Sequence, residues 1–127
     1  MMDADPTMQA ELPDTDAAAL ERLKRFGGGK LLREMIALFL AAAPERIDAA
    51  RGAGARGDAS AVEAALHSLK SSSAQLGAMR MQRLSQQGEQ RAHEGSIDDL
   101  SRLVAELDRE FALVRTWLLV AADKGAA

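Results

Sequence analysis

From Thr15 onward the apolar positions recur three and four residues apart, and no stretch alternates apolar with polar, so the pattern predicts helices and no strands. Leu20, Leu23 and Phe26 mark a short first helix, with Asp16 as its N-cap and Gly27-Gly28-Gly29 as its stop. A second helix is expected from Lys30 to about Arg51, carrying Leu32, Met35, Ile36, Phe39 and Ile47. Pro44 should kink it, and glycines 52, 54 and 57 break the chain after it. Asp58 caps a third helix with Val62, Leu66, Leu69, Ser73 and Leu76 on one side, and Gly77 marks its end or a close contact. A fourth helix runs from about Met79 to His93 and closes at Gly95. Ser96 then caps a long last helix whose apolar positions run from Ile97 to Leu119, with Phe111 and Trp117 read as core.

Connections of a few residues favour antiparallel neighbours. The expected fold is therefore all-α, an antiparallel up-down-up-down four-helix bundle with a short extra N-terminal helix, over residues 16–122. Residues 1–15, with Asp3, Asp5, Glu11, Asp14 and two prolines, read as a disordered acidic leader, and 123–127 as a flexible tail. The second helix carries a surplus of apolar surface. Leu32, Ile36, Phe39 and Ala43 form one stripe, while Leu31, Met35, Leu38 and Ala42 form a second beside it. The surplus is either covered by the first helix or left open as a docking patch that includes Met35.

Composition narrows the function. The chain has 127 residues, 47% apolar and 28% charged, which describes one globular domain. There is no cysteine, so disulfides, zinc-thiolate sites and thiol nucleophiles are excluded. A net charge of -3 gives no footprint for nucleic acid. No apolar run reaches the roughly 18 residues of a membrane span, and no secretory signal is visible, so a cytoplasmic protein with no membrane partner is expected. A Gly-x-x-x-x-Gly-Lys phosphate loop is also missing.

Only two histidines remain to carry chemistry, His67 and His93. At about 100° per residue, His67 falls well off the apolar stripe of its helix, with Ser71, Ala74 and Ala78 within about 40° of it. Lys70, three residues on and read as exposed, lies within reach of the imidazole. A lone helical histidine is ordinarily structural or solvated. Against that stand its place off the core stripe, the small side chains around it, and mid-helix serines that helix propensity does not favour. The face therefore presents a histidine, a cation and cleared space for a close-fitting protein. His93 sits at a helix C-terminus, where an imidazole is favoured by the dipole and is ordinarily solvated. Arg80 and Arg83 are candidates for meeting an acidic partner, or a solvated face.

The run His67-Ser68-Leu69-Lys70-Ser71-Ser72-Ser73-Ala74-Gln75-Leu76-Gly77 resembles the signature of the histidine-containing phosphotransfer (HPt) family. The similarity extends from about Leu20 to Leu118, through Leu38-Phe39 with Pro44, Gly57-Asp58, and Glu89 at an acidic position of the following helix. The resemblance implies that His67 accepts a phosphoryl group from a receiver-domain aspartate and returns it to another receiver, with Lys70 offsetting the phosphoryl charge. Ser71, Ala74, Gly77, Ala78, Met35, Arg80 and Arg83 would meet the partner. Response-regulator receivers and a hybrid histidine kinase are the implied partners of a monomer that needs no cofactor, the magnesium ion residing on the receiver. Two positions depart from the family pattern: Ser71 stands where glycine is usual, and Gly88 where an apolar helix former is. Ser71 could bond the imidazole or the phosphoryl group, and Gly88 could loosen its helix. The alternative is a helical adaptor that binds a receiver or kinase without taking phosphate. A dimerisation and phosphoacceptor domain of a histidine kinase is a weaker fit, because Ser68 stands where that family has an acidic residue.

Overall fold

The computed structural model describes residues 13–126 and places them in four helices: α1 (Ala17–Ala55), α2 (Ala59–Gln75), α3 (Met79–His93) and α4 (Leu100–Ala126). Helices α2 and α3 occupy the spans that their caps and glycines predict. Asp58 caps α2 by accepting from the Ala61 N–H at 3.1 Å. The first two expected helices are joined into α1 across a break at Gly28, whose φ of 77° and ψ of -174° only glycine adopts freely. Asp16 caps the first arm by accepting from the Ala18 N–H at 3.0 Å.

Pro44 lies within α1 without ending it: the only non-helical dihedrals inside that helix are those of Gly28, and proline's fixed φ suits a helix. Three expectations need correction. Gly52 and Gly54 do not end the helix either. A Cβ at Gly54 would stand 2.2 Å from Leu100 Cδ2, so the glycine lets α4 approach, and the chain turns instead at Gly57, with φ 71°. Ser96 does not cap α4. Its N–H bonds the Arg91 carbonyl at 2.8 Å behind α3, and α4 begins at Leu100, whose N–H bonds Ile97. Helix α4 then continues to Ala126, through most of the segment expected to be a flexible tail.

Each helix packs on its neighbours in a closed ring, α1 on α2, α2 on α3, α3 on α4 and α4 on α1, which is the antiparallel four-helix bundle. The core is aliphatic: Ile36, Ile47, Leu66, Leu69, Leu107 and Leu118 are essentially inaccessible. Truncating any of these to alanine costs about 2–5 kcal/mol. Phe111 and Trp117 are half-buried against it, with the Phe111 ring 6.2 Å from that of Phe39. Gly88 does not loosen α3. A Cβ there would come within 2.5 Å of Leu66 Cδ1 and 3.0 Å of Leu103 Cδ2, so its absence lets α3 sit between α2 and α4. The second stripe of α1 is partly covered, with Leu31, Met35 and Ala42 half-buried and only Leu38 exposed, at 64%. Phe26, at the end of the first arm, is 90% exposed.

Two buried hydroxyls, Ser73 Oγ and Ser85 Oγ, have no hydrogen-bond partner. An unpaired buried polar group costs about 1–3 kcal/mol. The Ser73→Ala protein should therefore unfold at a higher urea concentration, by about 1 kcal/mol, with an unchanged m-value. A loss of stability would mean that the hydroxyl is satisfied.

The segment before α1 belongs to the fold. Helix α3 has no side-chain cap at its start, and the Asp14 carbonyl supplies one, accepting from the N–H groups of Met79 at 3.0 Å and Arg80 at 3.4 Å. Asp16 N–H bonds the Gly77 carbonyl at 2.8 Å, and Thr15 bridges Ala78. The nearly buried Glu110 accepts from the Asp14 N–H at 3.3 Å, and the Asp14 carboxylate pairs with Arg83. Asp14 and Thr15 thus clip the α2–α3 turn and are not part of a loose leader. The rest of the expected leader, residues 1–12, lies outside the described residues.

Candidate functional site

The α2–α3 hairpin builds the site. Ala78 is the midpoint in sequence of two cross-helix pairs, His67 with Glu89 and Glu63 with His93. This register sets His67 and Lys70 of α2 against Glu89 of α3. The His67 Nδ1 lies 2.6 Å from Glu89 Oε2, and the Lys70 Nζ lies 2.6 Å from Glu89 Oε1. One carboxylate thus holds both side chains, one on each oxygen.

Burial alone would raise the Glu89 carboxyl, since its side chain is only 16% exposed. The hydrogen bonds and charges of Lys70 and His67 outweigh that and hold it below the ordinary glutamate value of 4.5. Glu89 is therefore a carboxylate at neutral pH and can only accept. The hydrogen of the contact must then sit on His67 Nδ1, which leaves the lone pair of a neutral imidazole on Nε2. The His67 side chain is 62% exposed, so that nitrogen is within reach of a partner.

Because folding lowers this pKa, the stability that Glu89 contributes is present above about pH 4.5. It disappears as the pH falls through the lowered value. A carbon-detected NMR titration should find Glu89 titrating below the ordinary glutamate value of 4.5. In Lys70→Met it should move upward; an unmoved titration would separate Glu89 from Lys70.

Several sequence expectations change on this geometry. Lys70 is 28% exposed and paired, not free in solvent, because the register delivers Glu89 to it. Ser71 is exposed, but its hydroxyl donates to the His67 carbonyl at 3.3 Å and does not bond the imidazole. Gly77 and Ala78 are buried: Asp16 lies against Gly77 and Thr15 bridges Ala78, so neither offers a side-chain surface to a partner. Ala74 and Met35 are half-buried. Arg80 and Arg83 are exposed but engaged within the fold, Arg83 with Asp14 and Arg80 at 4.0 Å from Glu110. His93 is 74% exposed at the end of α3, with its Nδ1 2.8 Å from Glu63 Oε2. Composition and periodicity missed the Glu89 carboxylate bridge and the Glu63–His93 pair. The signal was available, since positions equidistant from Ala78 face each other across a tight antiparallel turn.

Among the described residues no group of three or more metal-ligating side chains is assembled, and no helix is long and apolar enough to cross a membrane.

Comparisons place this arrangement among known proteins. The Hpt domain family model matches residues 34–117. The fold is similar to the crystal structure of histidine-containing phosphotransfer protein B (HptB) from Pseudomonas aeruginosa PAO1, with a TM-score of 0.83 and 25% identity, over 88% of this chain and 96% of that one. It is also similar to the HPT domain of a sensor hybrid histidine kinase from Shewanella, with a TM-score of 0.71 and 20% identity, over 90% of this chain and 97% of that one. A search of the curated proteins gives no match.

Proposed function

Since the chain belongs to the Hpt domain family, with a role in histidine phosphotransfer, we propose that it is a phosphorelay intermediate that takes its phosphoryl group on His67 Nε2 from the aspartyl phosphate of one receiver domain and passes it to the aspartate of another. The observation that carries this reading is the Glu89 carboxylate. It fixes the Nδ1–H of His67 and turns the Nε2 lone pair outward on an exposed side chain.

In the forward step the Nε2 lone pair attacks phosphorus, the P–O bond to the aspartate breaks, and the receiver recovers a free carboxylate. The imidazole keeps its Nδ1 hydrogen throughout, and the positive charge that develops on the ring faces Glu89. Lys70, about one helical turn from His67, lies beside the incoming phosphoryl oxygens and offsets their charge. Positioning and charge are most of what phosphoryl transfer requires, so an open helix face suffices. The magnesium ion of the reaction is the receiver's; nothing in the mechanism draws on a cofactor of this chain. The partner docks over Ser71, Ala74 and the edge of α1 formed by the half-buried Met35 and the exposed Leu38. Response-regulator receivers and a hybrid histidine kinase are the partners, and the protein works as a cytoplasmic monomer with no catalytic machinery for ATP.

The deciding experiment mixes the protein with a receiver carrying labelled aspartyl phosphate. Label should move to this chain as an acid-labile, base-stable phosphate that maps to the His67 peptide. Binding of the receiver without transfer would overturn the reading in favour of an adaptor.

A further inference from the structure

The bundle end that holds the α1 break and the C-terminal turns of α4 has a composition unlike the rest of the molecule. Residues 22–33 contain Arg22, Lys24, Arg25, Lys30 and Arg33 and no carboxylate. Lys24 and Lys124 border one open groove with Leu20, Leu32, Trp117 and Val120, which brings the end of α4 beside the first arm of α1. Residues 21–34 and 123–124 together carry six cations against Glu21, Glu34 and Asp123, a local charge of +3. The described residues 13–126 carry as many carboxylates as cations, so those outside this end sum to -3. The molecule is therefore electrically lopsided, with its positive pole at this end.

Apolar side chains mark the same end. Phe26 is 90% exposed and sits two residues before the Gly28 break, and Val120 on α4 is 48% exposed. Around Gly28 a Cβ would meet nothing within 4 Å, so the break stands in open space. Neither arm of α1 covers the Phe26 ring, and Lys24, Arg25 and Lys30, its neighbours in sequence, are all exposed, Lys30 lying 3.9 Å from Glu34 at the protein surface. An isolated exposed apolar residue is ordinary. A protruding aromatic ringed by cations, at the positive pole of an acidic protein, is the arrangement by which proteins rest on anionic lipid: the ring enters the headgroup layer while the ammonium and guanidinium groups stay among the phosphates.

We propose that this end of the bundle is a reversible docking surface for an anionic phospholipid membrane, with Phe26 as the inserted side chain and Arg22, Lys24, Arg25, Lys30 and Lys124 as the phosphate-facing cations. A lipid surface fits better than a protein groove because the aromatic projects from a helix end and needs a soft surface that closes around it. The net negative charge of the other described residues is repelled by the same membrane, which orients the bundle end-on. His67 lies ten residues before Gly77, about 15 Å along α2 from the turn that this end adjoins, so its imidazole stays open to a soluble partner while the protein is docked. The lack of a membrane-spanning helix does not bear on surface attachment of this kind.

Co-sedimentation of the full chain with phosphatidylcholine vesicles, with and without phosphatidylglycerol, tests the proposal. Binding is expected only to the anionic vesicles, and it should weaken steeply with added salt. Each basic residue near an anionic leaflet is worth about fivefold in partitioning, so the Lys24→Gln/Arg25→Gln/Lys30→Gln protein should bind about a hundredfold more weakly. Phe26→Ser should lower partitioning about tenfold at constant charge. Circular dichroism of both variants and phosphoryl acceptance at His67 in solution should match the unsubstituted protein, which separates this surface from the phosphotransfer site. Absence of binding to anionic vesicles at low ionic strength would overturn the proposal. So would binding that survives both sets of substitutions, or binding that depends on the cations and not on Phe26.

Discussion

A His67→Gln protein is expected to take no label from a phosphorylated receiver, while its helical signal stays intact and its stability changes by less than about 1 kcal/mol, as for other exposed positions. The side chain is 62% exposed and contributes little to the core, so its loss removes the nucleophile and little else. The graded test is at Glu89. In Glu89→Gln the amide oxygen can still accept from Nδ1–H, but the charge that answers the developing imidazolium is gone. Glu89→Leu removes the acceptor as well and frees the ring to rotate and change tautomer. Carboxylates that orient a functional imidazole are typically worth 10–100-fold. Transfer should therefore slow by about tenfold in Glu89→Gln and about a hundredfold in Glu89→Leu. Nitrogen NMR of His67 should report the Nδ1–H tautomer in the unsubstituted protein and in Glu89→Gln, and a mixture in Glu89→Leu. Although Lys70 also binds Glu89, the carboxylate keeps its bond to His67 Nδ1 in Lys70→Ala, so this variant tests the phosphoryl charge and should slow transfer without altering the tautomer. Equal rates in both Glu89 variants and the unsubstituted protein would remove the carboxylate from the mechanism.

How much of this was legible beforehand differs between the fold and the site. The spans of α2 and α3 follow from features local in sequence: Asp58 as a cap, apolar residues at helical spacing, and Gly77 and Gly95 in left-handed turns. His67 and Lys70 were visible for the same reason, since one helix face depends only on spacing. The errors cluster where a residue's role is set by something distant. Gly54 and Gly88 read as breakers because a glycine's local preference is to end helices, yet both are spaces for Leu100, Leu66 and Leu103 arriving from other helices. Ser96 has the chemistry of a cap, but its N–H is used to close α3, and α4 starts later. Asp14 and Thr15 look like the end of an acidic leader; the partners of Asp14, namely Met79, Arg80, Arg83 and Glu110, are 65 to 96 residues away in sequence, and that of Thr15, Ala78, is 63 away. Lys70 looked free for the same reason, since Glu89 reaches it only when the hairpin closes. Local chemistry located the proposed nucleophile, His67, and tertiary packing brought Glu89 against its Nδ1.

A large effect on stability is expected at Gly77, where two demands on one residue can be separated. Its φ of 75° already favours glycine, and a Cβ would stand 2.3 Å from the Asp16 carbonyl oxygen, a backbone atom that cannot swing aside. Gly57 is a built-in control: its φ is 71°, but a Cβ there meets nothing within 4 Å. Gly57→Ala should therefore cost only the left-handed conformation, about 1–2 kcal/mol. Gly77→Ala should cost that and also part of the clip, because relieving the clash pushes Asp16 off the turn. The hydrogen bonds from Asp16 to Gly77 and from Met79 and Arg80 to Asp14 are then weakened together. A total of about 3–4 kcal/mol corresponds to a fall in Tm of roughly 10–20 °C for a domain of this size. Deleting residues 1–16 supplies the second arm of a double-mutant cycle. In the shortened chain the Asp16 carbonyl is absent, so Gly77→Ala should fall to the cost of Gly57→Ala, leaving an interaction energy of about 2 kcal/mol between residue 77 and the clip. An equal cost in both backgrounds would show that the left-handed turn alone requires glycine at this position, and that the N-terminal segment rests on the hairpin without constraining it.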